Sequence, residues 1–358
     1  MSPKVLAVSF FSSRGPVADN FVTLARAFSR WVDLWVLSTT LVEGRLGIRA
    51  QGECYVEFHK SRLGSWIDLE LWRRVLAFTR REEFDLLFLY SEHPLHVPIA
   101  LAARARRVAF WCLDPVHHSG AKPHLAAVYE FAKRSLLRRA TSVIVACEQL
   151  KEATISKYRL APERIVVSPH GVLDNLAFPE IRSETRDIDV LFFGRVERYK
   201  GVDVLLRALE LLAARGTRTR AVVAGPGDSV RPAAGVERIA RYLEDRELAA
   251  LIARSKMVVM PYRDATGSQV AQCSFYYGTP VIATRVGCLP EYVEHEVTGL
   301  LVAPERPEAL AEAIQRLMLD QALWTRLSQR ARQEARHRFA NQELARHLLE
   351  RILPRRES

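Results

Sequence analysis

Short continuous runs of Val, Ile, Leu and Phe alternate along this chain with longer stretches whose apolar positions recur every three or four residues. Continuous apolar runs mark strands buried on both faces, and the longer period marks the helices that cover them. The alternation predicts an α/β protein of parallel sheets with helices on both sides. In the first half the predicted strands are Val5–Phe10, Leu34–Ser38, Leu86–Tyr90, Val108–Cys112, Ser142–Ala146 and Ile165–Ser168. Helices are predicted over Asn20–Arg30, Leu69–Thr79, Pro98–Ala105 and Pro123–Arg139.

The polar, aperiodic segment from Phe178 to Asp187 reads as a linker, after which the pattern restarts. Strands are predicted at Val190–Phe193, Arg220–Ala224, Ile239–Tyr242, Met257–Pro261 and Val281–Thr284. Between the first two, Val202, Leu205, Leu206, Leu209 and Leu212 line one face of a helix over Gly201–Arg215, with Gly216 ending it. From Pro307 the chain is helical almost to its end, with a break near Phe339–Asn341. This gives two doubly wound, Rossmann-like domains, residues 1–177 and 187–335. A C-terminal helix in 336–358 is expected to pack back on the first domain.

Length and composition agree with that division. The 358 residues suit two domains, and 49 % hydrophobic with 26 % charged residues is globular composition, not disorder. No run reaches the roughly 20 apolar residues of a membrane span, and Val5–Phe10 reads as a buried strand rather than a signal peptide. The five cysteines are unclustered, so reduced, buried thiols and a cytoplasmic location are expected. A net charge of +11 is spread over both halves, which argues against a nucleic-acid arm. It leaves phosphorylated substrates open. An anionic membrane face also stays open, because Leu125, Val128, Tyr129, Ala132 and Leu136 form an apolar helix face with Lys and Arg beyond it.

Ligands of open α/β sheets bind beyond the carboxyl ends of the strands, so the informative residues are those just after each strand. Gly194 permits a tight turn, and Arg195 and Lys200 then stand near a helix N-terminus. A guanidinium fork and an ammonium beside free N–H groups suit a diphosphate, although a solvated basic turn is the plain alternative. Gly225 and Gly227 follow the next strand and permit close approach to a ribose or base, or simply a turn. The loop Thr266–Gln269 precedes another helix, and Gly287–Glu291 opens the one after. In the first half, Asp114, His117 and His118 follow a strand. Gly15 follows the first strand in place of a Gly-rich loop. No HExxH, Cys pair or carboxylate repeat marks a metal site, and no GxGxxG marks a dinucleotide site near Gly15.

Five segments of the second half resemble the retaining GT-B glycosyltransferases of family 4 (glycosyl transferases group 1). They are Gly194-Arg195 with Lys200-Gly201-Val-Asp203, Gly225-Pro-Gly227, Gly278–Thr284, Gly287–Glu291 and Thr298–Val302, and their order and spacing agree over residues 188–318. More weakly, Thr141–Lys151 and Ile165–Val172 resemble first-domain segments of the family, with His170 where Asn is usual.

The resemblance implies two Rossmann-like domains facing a cleft and a metal-independent, hexosyltransferase-like enzyme. Such an enzyme needs no cofactor beyond its nucleoside diphosphate sugar, and its acceptor is a hydroxyl on a glycan, lipid-linked saccharide or small molecule. Arg195 and Lys200, with Gly15, would hold the diphosphate. Gly194, Gly225, Gly227, Tyr242, Gly267, Ser268, Gln269, Val270, Cys273 and Glu291 would line the sugar-nucleotide site, and Asp114, His117 and His118 would serve the acceptor. Ala265 and Cys273 occupy the places of the family's paired glutamates, and Cys112 falls near the place of its usual His. Those departures keep a second reading open, a non-catalytic sugar-nucleotide-binding scaffold. A sugar-nucleotide epimerase is a third.

Overall fold

The computed structural model describes residues 2–11, 15–48, 50–57, 68–115, 126–183, 185–227 and 235–353. The described residues up to Pro169, together with those from Asn341 onward, form one compact unit, and His170–Ala340 form a second.

The first unit is built on a seven-stranded, wholly parallel sheet in the order β3-β2-β1-β4-β5-β6-β7. Its strands are β1 (Lys4–Ser9), β2 (Asp33–Thr39), β3 (Gly52–Val56), β4 (Phe84–Tyr90), β5 (Ala105–Trp111), β6 (Ser142–Val145) and β7 (Ile165–Val167). Helices α1 (Pro16–Phe28), α2 (Leu69–Thr79), α3 (His96–Ala102), α4 (Ala126–Arg139) and α5 (Glu148–Tyr158) connect them. Val5, Leu6, Val8, Leu86, Leu87, Leu89 and Ala109 are fully buried in the central strands, as the unbroken apolar runs require.

Several boundaries differ from expectation. Pro16 occupies the start of α1, where its fixed φ and missing N–H suit the first helical turn, so the helix begins earlier than Asn20. Helix α3 closes at Ala102 because β5 already begins at Ala105. On α4 Ala132 and Leu136 of the expected apolar face are buried, with Lys133 and Leu137 beside them, whereas Val128 of that face is exposed, as is Phe131. Leu125 lies outside the described residues.

The second unit holds a six-stranded parallel sheet, β10-β9-β8-β11-β12-β13. Its strands are β8 (Ile188–Phe193), β9 (Ala221–Ala224), β10 (Val236–Ile239), β11 (Ser255–Met260), β12 (Val281–Thr284) and β13 (Gly299–Val302). Its helices are α6 (Val202–Ala214), α7 (Asp245–Arg254), α8 (Val270–Tyr276), α9 (Leu289–Tyr292), α10 (Pro307–Leu319) and α11 (Gln321–Arg336). Helix α6 buries Val202, Leu205, Ala208, Leu209 and Leu212 and packs on α10. Asp320 separates α10 from α11 and caps the latter, its carboxylate accepting the Leu323 N–H at 2.8 Å. The edge strand β10 lies three residues earlier than expected, which leaves Tyr242 beyond it and 68 % exposed.

The final helix, α12 (Asn341–Ile352), belongs to the first unit. Its Ala345, Leu348, Leu349 and Ile352 join Phe21, Val22, Ala25 and Phe28 of α1 in one core. Cys112 and Cys273 are buried free thiols and Cys54 is half-buried. Among the described residues no helix is long and apolar enough to cross a membrane.

Candidate functional site

In the second unit the strand order reverses between β8 and β11, and the loops after both strands meet. Such a switch point is where open α/β sheets take their ligands. After β8 the chain turns at Gly194, passes Arg195 and makes a short 3-10 turn, Arg198–Lys200, before α6 begins. Gly201 ends that turn at φ 66°, and a Cβ there would lie 1.9 Å from the Pro261 carbonyl oxygen of the loop after β11. Only glycine lets the two loops approach so closely.

That approach places Lys200 over Tyr262. The ammonium is 3.8 Å from the centre of the Tyr262 ring and 5.1 Å from that of Tyr199. Burial pulls the Lys200 ammonium down to about 8, and the Arg195 charge acts in the same direction, while Tyr199 and Glu197 oppose it. Tyr262 is itself buried and shares a hydrogen bond with Ser268. Arg195 is exposed, its guanidinium 3.0 Å from the Glu197 carboxylate. Two cations of different character therefore stand at the start of α6, one desolvated among aromatic faces and one open to solvent.

Arg263, which the sequence reading passed over, locks this turn. It grips Asp203 with both terminal nitrogens at 2.7 and 2.6 Å, donates to the Arg198 carbonyl at 2.8 Å and reaches Glu305 at 2.9 Å. The fork holds the Asp203 carboxyl below its ordinary range.

Gly225 and Gly227 serve the same assembly from behind. A Cβ on Gly225 would lie 2.0 Å from the Gly194 carbonyl oxygen, and one on Gly227 would lie 2.4 Å from that of Val196. Val196 N–H donates to Pro226 O at 2.7 Å, so the two turns run side by side. Arg238 ties their ends, donating to the carbonyls of Gly227, Val223 and Ile239. Tyr242 is exposed, beyond the end of β10.

Gly267, half-buried, and Ser268, buried, lie in the loop before α8. The Gln269 side chain donates to Gly171 O at 2.9 Å, which fastens this loop to the His170-Gly171-Val172 segment. Burial draws the His170 imidazole down to about 4, so it is neutral at pH 7. Val270 begins α8, and Cys273, 1 % exposed, turns its thiol into the interior. The place of the family's second glutamate is thus filled by core packing. At the place of the first, Ala265 offers its carbonyl to the loop after β12, where Gly287 closes against it. Glu291 is half-buried on α9, and its carbonyl accepts from Arg338 at 2.6 Å.

In the first unit Gly15 caps α1 and its carbonyl accepts the Asp19 N–H at 3.0 Å. Asp114 is half-buried beyond β5. His117 and His118 lie outside the described residues. The loop after β4 brings in residues the motif search missed, Glu92, His93 and His96. Glu92 and His96 are buried, and His96 donates from Nδ1 to Ser91 O at 3.0 Å. The rule of residues just after a strand would have found Glu92 and His93. Among the described residues no group of three His, Cys, Asp or Glu could hold a metal ion.

Comparison with known proteins places both halves. A family model for glycosyl transferases group 1 matches residues 187–320, and one for a glycosyl transferase 4-like domain matches residues 19–171. The D-inositol 3-phosphate glycosyltransferase of Saccharomonospora viridis is 29 % identical over 73 % of this chain and 68 % of its own length. Its namesake from Corynebacterium aurimucosum is 30 % identical over 52 % and 51 %. The alpha-D-kanosaminyltransferase of Streptomyces kanamyceticus is 27 % identical over 57 % and 58 %. The chain therefore spans about half to two thirds of the length of these curated relatives. Among solved structures, sucrose-phosphate synthase from Thermosynechococcus elongatus aligns with a TM-score of 0.73 at 19 % identity, over 97 % of this chain and 98 % of its own. Anabaena HepE in complex with UDP and glucose aligns at 0.74, with the same identity and coverage.

Proposed function

The chain belongs to the glycosyl transferases group 1 family with the GT-B fold, and from that premise we propose that it moves a sugar from a nucleoside diphosphate sugar to a hydroxyl acceptor. Arg195 and Lys200 hold the diphosphate. The observation that carries this assignment is the desolvated ammonium of Lys200, set against Tyr262 at the start of α6 with Arg195 beside it. Partial burial of a cation costs free energy unless an anion arrives to offset it. A leaving diphosphate gains one negative charge as its bond to the anomeric carbon breaks, and pre-placed cations and helix N–H groups lower that barrier.

In the proposed reaction the bond from the sugar's anomeric carbon to the phosphate oxygen breaks. A bond to the acceptor oxygen forms on the same face, and the acceptor's proton passes to the departing phosphate. No protein carboxylate is required as a nucleophile, so Ala265 and Cys273 do not disable this route. Ser268, Gly267, Val270 and Glu291 remain the candidate sugar-side contacts. Asp114, His117 and His118 are assigned to the acceptor.

Anabaena HepE was solved with UDP and with UDP-glucose, so UDP-glucose heads the panel of donors to test here. Release of UDP, with matched panels for other bases, measures turnover. Arg195→Ala and Lys200→Ala are each expected to cut it at least tenfold, equivalent to about 1.4 kcal/mol of transition-state stabilisation. Unchanged turnover in both removes the assignment. The outer stripe of α4, with exposed Val128, Phe131, Arg134, Arg138 and Arg139, supports a peripheral contact with an anionic membrane. Sedimentation with anionic vesicles but not neutral ones is the result that contact requires.

A further inference from the structure

We propose that Glu92 and Lys133 are positioning residues that clamp the backbone of Asp114 from its two sides, fixing the direction in which its carboxylate meets the acceptor hydroxyl. The proposal rests on the reading that Asp114 serves the acceptor.

The two grips come from separate elements. Glu92, in the loop after β4, accepts the Asp114 N–H on Oε1 at 2.8 Å, and the same oxygen accepts the Cys112 thiol at 3.3 Å. Lys133, on α4, donates from Nζ to the Asp114 carbonyl. Both side chains are almost wholly buried, Glu92 at 8 % exposed and Lys133 at 2 %. One peptide-bearing residue thus has its donor held by a buried acid and its acceptor held by a buried base.

The neighbours reinforce that geometry. Cys112 N–H donates to Ile144 O at 2.9 Å, and Pro115 O accepts from Lys157 Nζ at 3.1 Å and Tyr158 Oη at 3.0 Å. Glu130 lies 3.7 Å from Lys157 and 3.9 Å from Lys133, so it balances both ammonium groups. On the Glu92 side, Ser91 adopts φ 87°, a left-handed conformation that costs a non-glycine residue. It is held there by its N–H to Trp111 O at 3.1 Å and by His96 Nδ1 to its carbonyl. The strained residue turns Glu92 inward, toward the end of β5. Burial first, and then the Asp114 charge, push the Glu92 carboxyl above its ordinary range, with Lys133 opposing.

An apolar pair would stabilise such a position as well or better, because desolvating two charges offsets most of their attraction. A buried acid and base are therefore poorly explained by stability. They are well explained by the need to hold one loop peptide in one place. A misplacement of about 1 Å at a reacting group costs on the order of 100-fold in rate.

The test uses the full chain, with UDP-glucose or the panel donor that the wild type turns over best. For Glu92→Ala and Lys133→Met, kcat for UDP release is expected to fall on the order of 100-fold. The donor KM and the calorimetric affinity for UDP should stay within about threefold. Glu92→Gln retains an oxygen for the Asp114 N–H and is expected to recover most of the lost kcat. A role in folding alone would lower UDP affinity and kcat together and would give no selective recovery, which would overturn the proposal. Folded Ala and Met variants with kcat near wild type would overturn it too. Should both variants fail to fold, amide exchange in the wild type decides. The Asp114 N–H must be protected as strongly as sheet amides, and exchange at the rate of an exposed loop would overturn the clamp. A wild type that binds no UDP and releases none from any donor would instead defeat the donor reading, a result distinct from all of these.

Discussion

Lys200 and Tyr262 form a cation–aromatic pair across two loops, with the ammonium 3.8 Å from the ring centre and the ring itself buried. A desolvated pair of this kind is worth about 2 kcal/mol. If the pair presents the ammonium to a diphosphate, Tyr262→Leu weakens UDP binding by roughly tenfold to thirtyfold. Tyr262→Phe keeps the ring, loses only the Ser268 hydrogen bond, and should weaken it by less than about fivefold. Calorimetric titration with UDP measures both, alongside melting temperatures that confirm a folded protein. Equal affinities for the wild type and the Leu variant would separate the ring from ligand binding.

The same ammonium predicts two opposed pH dependences. Its value of about 8 in the free protein lies below the ordinary lysine value of 10.5. Donor affinity should therefore fall as pH rises through about 8, because the deprotonated amine no longer attracts the diphosphate. Folding stability runs the other way. Between about 8 and 10.5 the unfolded chain holds this proton and the folded chain does not, so the Lys200 contribution to stability rises with pH across that window. Lys200→Met should flatten both trends relative to wild type. UDP affinity and urea midpoints from pH 7 to 10 give the comparison, and identical slopes in the two proteins would contradict the assignment.

Particular elements explain why part of this was readable in the sequence and part was not. The turn from β8 to α6 was legible because a continuous apolar run, a glycine and a helix-period pattern announce themselves locally. Strand β10 was displaced in the reading because it is an edge strand, half-solvated, and its Glu237 and Arg238 hide the apolar signal. On α4 the burial of Lys133 was not legible, because a lysine reads as a solvent residue. It is buried by a partner, the Asp114 carbonyl, that no local pattern reveals. Glu92 is within reach of the strand-end rule, but its role, like that of Arg263, depends on loops brought together by sheet order rather than by spacing in the chain. Cys273 was readable as a departure from the family, but only the fold shows its thiol turned into the core.

Gly287 tests how tightly the loops of the second unit are interlocked. It sits at φ 50°, and a Cβ there would lie 1.6 Å from the Ala265 carbonyl oxygen. Backbone cannot give way as a flexible side chain can, so Gly287→Ala must shift one loop or the other. The expected cost is above about 2 kcal/mol, from left-handed strain and overpacking together. Urea unfolding reads that cost directly. A change under about 0.5 kcal/mol would show that the loop after β12 moves freely against Ala265.

Arg186 makes the last case, because it shows a charge used to build a site without touching a ligand. Its guanidinium donates to Ser255 O, to Thr279 Oγ1 at 2.7 Å and to Tyr277 O at 2.8 Å. The group also lies 5.1 Å from the centre of the Trp324 ring. Burial lowers its affinity for the proton to about 10, with Arg332 adding repulsion, yet it stays charged at neutral pH. It thereby joins the start of β11, the turn after α8 and α11, and so holds the turn that leads into β12. Arg186→Met removes these donors while keeping much of the apolar stem, and leaves the carbonyls of Ser255 and Tyr277 short of partners. The expected loss is about 2–4 kcal/mol in unfolding free energy. UDP affinity of the folded fraction should change by less than about threefold, since none of these atoms faces Lys200 or Arg195. Denaturant unfolding and UDP titration on the same preparation separate the two effects. A variant as stable as the wild type would mean that the surrounding backbone finds other donors, and the proposed anchoring would fail.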